Sequence, residues 1–322
     1  MMRDLRRTAP LLAFAIALTA IPAAHAGEIV AWGNDEYGLV SGAPVGDDFT
    51  ALVATPHTAF ALRANGSIVA WGRDDGGLVT SMPTDTGFIA LATGLYTAYA
   101  LRADGSIAAW GDDAYHLVTG APTDDGFAAI AAGSGSAYAL KADGSIVTWG
   151  NSPSGVPTED GFAAIAAGGG NGLALRADGS IAAWGDDGYG LVSDAPTEGG
   201  FAAIATDYSA GYAVRADGFV ADWGAAWGMP YTNGISTVAA SNAFALALRA
   251  DGSVTAWGDD SYGQVSDAPG GAGFTAIAAS GGGTAFALRS SAAPEPASVA
   301  MLALGAGVAV VAAARRRAKG EV

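Results

Sequence analysis

Cysteine is absent from the 322 residues, histidine occurs only three times, and Asp, Glu, Lys and Arg together make up 14%. The missing thiols exclude a disulfide-stapled fold and any thiolate metal site. Scarce histidine and lysine leave little material for general acid-base chemistry. Low charge beside 51% apolar residues excludes a disordered chain, which has the opposite balance. Of the 15 basic residues, Arg3, Arg6 and Arg7 lie at one end and Arg315, Arg316, Arg317 and Lys319 at the other. Eight remain between them, against 29 acids once Asp4 and Glu321 are set aside. A body this acidic repels phosphate backbones, so nucleic acid is not expected as a partner. Glycine is what the chain has in excess: 48 residues, enough to punctuate it throughout.

The two ends read as addresses. Residues 1–26 have the form of a secretory signal, expected as a short helix. Arg3, Arg6 and Arg7 are its positive region and Leu11 to Ala20 its apolar run. Ala24 and Ala26 are the small residues flanking cleavage before Gly27. At the other end, a linker of residues 291–296 carries Pro294-Glu295-Pro296. The uncharged apolar run 297–314 follows, near the lower limit for a transmembrane helix. Arg315, Arg316 and Arg317 stop it and open a basic cytoplasmic tail, 315–322, which puts the preceding domain outside. Motif, helix and basic cluster in this order resemble the PEP-CTERM sorting signal of Gram-negative bacteria. That resemblance implies export, a transient anchor in the inner membrane, and an exosortase-type enzyme as processing partner.

Between the ends the chain repeats. Trp-Gly pairs begin at Trp32, Trp71, Trp110, Trp149, Trp184, Trp223 and Trp257. Each is followed by a polar loop, then Phe-Ala-Ala-Ile-Ala-Ala or a relative, then Ala-Tyr-Ala-Leu-Arg or a relative. Short apolar segments broken by Gly, Asp and Pro predict strands. Six Ala-Asp-Gly or Ala-Asn-Gly junctions, with the pairs from Asn65-Gly66 to Asp251-Gly252, predict hairpins with type I′ turns. Segments such as Phe162 to Ala167 are apolar at every position, so both faces of each strand should be covered. Small sheets stacked face to face in a ring supply that cover. The expected fold is all-β: a seven-bladed β-propeller over residues 27–290. The first Trp-Gly strand lacks a preceding partner and the last Ala-Leu-Arg strand a following one. Residues 29–32 and 285–289 should therefore pair antiparallel and close the ring.

The unit Ala-Asp-Gly-Ser-Ile-x-x-Trp-Gly-Asp-Asp-x-Tyr-Gly-x-Val resembles the repeats of the regulator of chromosome condensation superfamily. The Tyr-Gly of that pattern stands at Tyr37-Gly38, Tyr189-Gly190 and Tyr262-Gly263. The resemblance implies a seven-bladed propeller; function varies too widely on this scaffold to be carried over. Unit four departs at Asn151 to Ser154 and unit six at Ala225 to Gly228, and both should have a reduced outer strand.

Site candidates are few. His116 replaces a loop glycine and His57 stands alone, so both read as structural. Adjacent acids after Trp-Gly recur as Asp35-Glu36, Asp74-Asp75, Asp112-Asp113, Asp186-Asp187 and Asp259-Asp260. Their oxygens suit Ca²⁺, with Asp112, Asp113, Asp186, Asp187, Asp259 and Asp260 the candidate ligands, although the spacing fits no standard calcium loop. The same acids also suit a solvated, turn-forming rim. A basic residue closes the same strand in every unit: Arg63, Arg102, Lys141, Arg176, Arg215, Arg249 and Arg289. Hydrogen bonding to a nearby carboxylate is its expected role, and a cationic ring for an anionic glycan the alternative. The expected function is a non-catalytic, monomeric binding module, exported to the cell envelope, outer surface or medium. Its partners would be envelope or matrix polysaccharide or protein, and no cofactor is expected. The alternatives are a secreted protein-binding inhibitor anchored by Tyr208, Trp227 and Tyr231, and a propeller-fold lyase or hydrolase.

Overall fold

The computed structural model describes residues 26–226, 228–229, 233–242 and 244–290. The signal segment through Ala24, the Pro-Glu-Pro motif, the apolar run 297–314 and the arginines after it lie outside the described residues, as do Trp227 and Tyr231. Among the described residues no helix is long and apolar enough to cross a membrane. Helical geometry is confined there to two 3-10 turns, Asp75–Gly77 and Ala114–His116.

Everything else regular is strand, in antiparallel triplets of inner, middle and outer strand. The first triplet is Phe49–Ala54, Thr58–Arg63 and Ile68–Gly72. Phe88–Thr93, Thr97–Arg102 and Ile107–Gly111 follow, then Phe127–Ala132, Ser136–Lys141 and Ile146–Gly150. The next two are Phe162–Ala167, Asn171–Arg176 and Ile181–Gly185, and Phe201–Thr206, Ala210–Arg215 and Val220–Gly224. Ile235–Ala240, Phe244–Arg249 and Val254–Gly258 make another. The last draws on both ends of the repeat region: Phe274–Ala279, Thr284–Ser290 and, from the start of the chain, Gly27–Gly33. Ile29 opposes Leu288 and Trp32 opposes Ala285, the antiparallel closure expected from the two partnerless strands. By hydrogen bonding there are six sheets, five of three strands and one of six. The six-stranded sheet is the last triplet joined to the first through the single pairing of Gly27 with Phe49.

The inner strands explain the all-apolar segments. In Phe162–Ala167 every residue but Ala163 is buried, because neighbouring sheets cover both sides. Successive inner strands touch in chain order, and Phe274–Ala279 returns to touch Phe49–Ala54. Alanine is what lets them come so close. Each inner strand begins with a bulge: Phe49 opposes Arg63 while Ala51 opposes Leu62, leaving Thr50 as the extra residue.

Between sheets the wedge is tryptophan. Trp71 meets Phe286 edge-on at 5.9 Å, Trp110 meets Phe60 at 5.7 Å and Trp149 meets Tyr99 at 5.4 Å, each across to the preceding triplet. The indole N–H also reaches back. Trp71, Trp110, Trp149 and Trp223 donate to the carbonyls of Leu39, Leu78, Leu117 and Leu191, and Trp32 to that of Gln264, at 2.9–3.0 Å. Two indoles, Trp184 and Trp257, have no partner among the described residues. These are the two preceded by the divergent loops of units four and six.

Two expectations need correction. The Asp-Gly hairpins are not type I′. Gly66 has φ +77, but Asn65 does not adopt positive φ, and Gly66 N–H donates to the Arg63 carbonyl. This is a type I turn closed by a left-handed glycine, the three-residue hairpin loop. The Asn65 side chain favours it by accepting from Ser67 N–H at 2.9 Å, as Asp104 does from Ser106. Glycine is required twice over, since a Cβ at Gly66 would collide with the backbone of Gly87 and Phe88 of the next triplet. Nor are units four and six alone in lacking a further outer strand. No unit has one among the described residues, because the segment after each Trp-Gly is spent on tight turns.

The indole hydrogen bonds predict an asymmetry between otherwise equivalent substitutions. Trp110→Phe strands the buried Leu78 carbonyl, whereas Trp184→Phe removes an indole N–H that has no acceptor. The first should cost about 1–3 kcal/mol more than the second in urea unfolding. Equal losses would mean that the bond contributes nothing.

Candidate binding face around the central funnel

Antiparallel order sends the inner-to-middle turn and the loop after Trp-Gly to one end of each sheet, and the Asp-Gly turn to the other. The two ends differ chemically. At the Asp-Gly end the recurrent cation is already neutralised. Asp48 holds Arg63 and Asp85 holds Arg102, both at 2.5 Å, and Glu159 holds Arg176 at 2.6 Å. Lys141, Arg215 and Arg289 pair with Asp124, Glu198 and Glu28 at 3.4, 3.0 and 3.7 Å. The bulge brings Phe opposite the cation, and guanidinium carbons lie over Phe49, Phe88, Phe162, Phe201 and Phe274 at 4.4–5.0 Å. Arg249 differs: its inner strand starts with Ile235, and it bonds the Asn233 carbonyl and Thr255 Oγ1. The cations therefore hold loops, the structural role expected for them.

At the Trp-Gly end the acids are also spent on the backbone. Asp113 Oδ1 accepts from Val118 and Thr119 N–H at 2.8 Å, and Asp187 and Asp260 accept the same pair of amides in their own loops. Asp35 and Asp74 take this capping place too, so the true counterparts of the later acid pairs are Asn34-Asp35 and Arg73-Asp74. Backbone N–H donors hold the carboxyls of Asp113, Asp187 and Asp260 below the usual carboxylate range. Asp112 and Asp186 each accept the amide two residues on, and Asp259 takes Ser261 Oγ and Gln264 Nε2. Among the described residues no three acids or histidines gather closely enough to hold a metal ion. Five of the six candidate calcium ligands thus accept backbone amides of their own turns, and Asp259 accepts side-chain donors.

His116 has φ +58, in the left-handed place where other loops carry glycine. His57 is less isolated than the sequence suggests. Its Nδ1 lies 2.6 Å from Asp75 Oδ2, Arg73 Nε lies 2.7 Å from the other oxygen, and the Tyr37 ring covers the imidazole at 4.4 Å.

The inner strands end around a hollow of about 100 Å³ at the centre of this same face. Its wall comes from the turns after the inner strands, bonded from one triplet to the next. Ser280 Oγ donates to the Thr55 carbonyl at 2.8 Å, and Asn171 Nδ2 reaches the Asp207 carbonyl at 3.4 Å. The residue after the inner strand is Thr55, Gly94, Gly133, Gly168, Asp207, Ser241 or Ser280. Six are neutral and one is an acid. Asp207 is 4% exposed, and its Oδ1 accepts from Ser209 and Ala210 N–H, both at 2.7 Å. Thr55 Oγ1 caps its turn in the same way, accepting from Thr58 N–H at 2.9 Å. Burial pushes the Asp207 carboxyl up to about 6, against the pull of those amides.

Tyr208, singled out from sequence, stands beside Asp207 with its ring about half exposed and edge-on to Tyr189 at 5.8 Å. It lies so close over Gly169 of the neighbouring triplet that a Cβ there would collide with the ring. Tyr96, Tyr115, Tyr189 and Tyr262 are exposed on the same face. Asp207 escaped the sequence reading because it is adjacent to Tyr208 in a loop of ordinary polarity. Aligning the seven repeats on the residue after the inner strand would have set it apart.

The regulator of chromosome condensation (RCC1) repeat model matches residues 235–264, and the PEP-CTERM protein-sorting motif matches residues 292–317. No curated protein sequence matches the chain. Among solved structures, human WBSCR16 superposes with a TM-score of 0.67 at 13% identity, covering 83% of this chain and 99% of that one. Prp20p from Saccharomyces cerevisiae superposes with a TM-score of 0.64 at 15% identity, covering 82% and 92%. The CRINKLY WD40 ectodomain of the Arabidopsis thaliana receptor kinase ACR4 gives 0.61 at 22% identity, covering 74% and 89%. The chain thus shares its fold with RCC1-type β-propellers.

The displaced Asp207 carboxyl predicts a pH dependence. An acid that titrates near 6 when folded and near 3.8 when unfolded holds its proton more tightly in the native state. Its contribution therefore falls as pH rises from about 4 to 6, by on the order of 3 kcal/mol in total. Asp207→Asn keeps an acceptor oxygen and cannot titrate. The variant should match the wild type near pH 4 and exceed it in unfolding free energy at pH 7. A constant difference across this range would mean that Asp207 titrates normally.

Proposed function

We propose that the chain is an exported, surface-sorted, monomeric seven-bladed β-propeller that binds a cell-envelope or extracellular-matrix component without catalysis. The observation that carries the reading is the sorting motif at residues 292–317, placed directly after a ring with one open, tyrosine-rich face. Seven blades are supported by the cyclic order of inner-strand contacts and by Trp71 packing on Phe286 across the closure. Domain limits follow from the same reading: signal 1–26, propeller 27–290, linker 291–296, membrane helix 297–314 and basic tail 315–322. Ala24, Ala26 and Gly27 would frame the first cleavage. Pro294, Glu295 and Pro296 would be presented to an exosortase-type enzyme, with Arg315, Arg316 and Arg317 holding the helix in the inner membrane until then.

The funnel face suits a binding role because hydroxyls, amides and the Asp207 carboxylate line its wall and further carboxylates stand on its rim. Exposed tyrosines offer flat apolar area at little entropic cost, which serves polysaccharide and protein partners alike. That feature also supports the inhibitor reading, with Tyr208 as an anchor. The lyase or hydrolase reading has one observation in its favour, the 2.6 Å pairing of His57 with Asp75 near the hollow. Arg73 shares that carboxylate and Tyr37 covers the imidazole, an arrangement suited to holding loops together.

Mass spectrometry of the chain recovered from cells and medium tests the reading. The expected product starts at Gly27 and has lost the residues after Pro296, and it is retained on washed cells or matrix. Both ends intact in cytoplasmic material would overturn it.

A further inference from the structure

Asp207 does more than its place in the fold requires. A turn at that position uses at most one side-chain acceptor: Gly94, Gly133 and Gly168 supply none, whereas Thr55 Oγ1 accepts from Thr58 N–H and Ser280 Oγ from Gly282 N–H. Asp207, which lines the hollow, supplies it with Oδ1, and its Oδ2 has no hydrogen-bond partner among the described residues. No Lys, Arg or His lines the hollow, and Asp207 is in no ion pair among the described residues. A buried carboxylate without a cation carries a desolvation cost that a serine would avoid. Beside it the Tyr208 ring, itself part of the lining, offers a π face, and the Asn242 amide and Ser134 hydroxyl complete a polar rim.

We propose that the hollow is a binding site for a primary ammonium group at the end of a slender alkyl chain, with Asp207 Oδ2 as its counter-ion and the Tyr208 ring packed against its stem. Three features select this class. Asp207 lines a space with no positive charge of its own and has an oxygen to spare, so the complement is a cation bearing N–H donors. The hollow is small, about 100 Å³, which suits the slender end of a chain. The rim carries Asp112, Asp186 and Asp259 on the same face of a chain with net charge -16, a field that draws cations in. The inference builds on the reading of this face as the binding face. It specifies the ligand group as the aminoalkyl arm of an envelope or matrix component.

Isothermal titration of the purified protein with n-butylammonium chloride tests it, with 1-butanol as the uncharged control and glucosamine as a ring-borne amine. Butylammonium is expected to bind saturably at one site and butanol not to bind. Glucosamine should bind at least about tenfold more weakly, since a bulky ring enters so small a hollow less easily than a slender chain. Asp207→Ser keeps the turn cap used by Ser280 and should lower butylammonium affinity by about tenfold or more, the worth of one charge-assisted hydrogen bond. Tyr208→Ala should lower it severalfold. Near-ultraviolet circular dichroism checks that both variants keep the native packing, and Asp207→Asn serves as a second neutral variant. No saturable heat with the wild type, equal affinity in the folded Asp207 variants, or equal binding of glucosamine would each overturn the assignment. Failure of the protein to attach to cells or matrix would count against the proposed function and leave this titration unaffected.

Discussion

Burial of small sheets against one another, with an indole wedged into each gap, is the constraint from which the rest follows. A three-stranded sheet of alanine-rich strands has too little side chain to make a core by itself. It becomes stable when both faces are covered, and a stack covers both faces of every member only if it closes. Alanine brings the inner strands together near the axis, and Trp, Tyr and Phe fill the gap as the sheets splay outward. Trp71 against Phe286 is the contact that matters most for closure, because it joins sheets from opposite ends of the chain. The strand Gly27–Gly33 does the same through hydrogen bonds, pairing along its whole length with Thr284–Ser290.

The same antiparallel order separates the two ends of the ring. At the Asp-Gly end every recurrent cation but Arg249 is held by a carboxylate, and the turn acids such as Asp104, Asp143, Asp178 and Asp251 cap their own loops. Charges at the funnel end are mostly acids capping turns, with Arg73 the only Lys or Arg among them in the described residues. The cations are thus gathered at the Asp-Gly end, while the funnel end carries acids almost alone. Capping explains why those acids stand beside the backbone amides, yet it does not neutralise them. The face stays negative toward solvent while each loop beneath it is fixed in shape.

Much of the fold was legible because its signals were local and repeated sevenfold. Trp-Gly spacing, the apolar inner segments and the two partnerless end strands led to the triplets and to the pairing of Ile29 with Leu288. What the sequence hid depended on details that periodicity cannot carry. Asn-Gly and Asp-Gly are compatible with a type I′ turn and with a type I turn plus left-handed glycine. The Asn65 bond to Ser67 and the close approach of Phe88 to Gly66 decide between them, and only the fold supplies the second. The acid pairs were misaligned by one residue in the first two units, where Asn34 and Arg73 replace an Asp. His57, read as solitary, meets Asp75 from a loop eighteen residues away. Sequence distance concealed that contact, just as sequence adjacency to Tyr208 concealed Asp207.

The persistence of Asp207 turns on a comparison of costs. Its Oδ1 bonds are ones that threonine and serine make elsewhere in the same ring, so they cannot account for a carboxylate. The two backbone amides stabilise the ionised form, yet burial outweighs them, and the carboxyl still titrates about two units above an ordinary aspartate. At neutral pH the group is therefore ionised against a desolvation penalty that no neighbouring cation offsets. A ring held by many inter-sheet contacts can carry one such penalty without unfolding, whereas a marginal sheet could not. The penalty is placed where the inner strands converge and the wall is bonded from sheet to sheet, so relaxation of the turn cannot relieve it. What can relieve it is a positive group entering the hollow, because only that supplies the charge the surrounding residues lack.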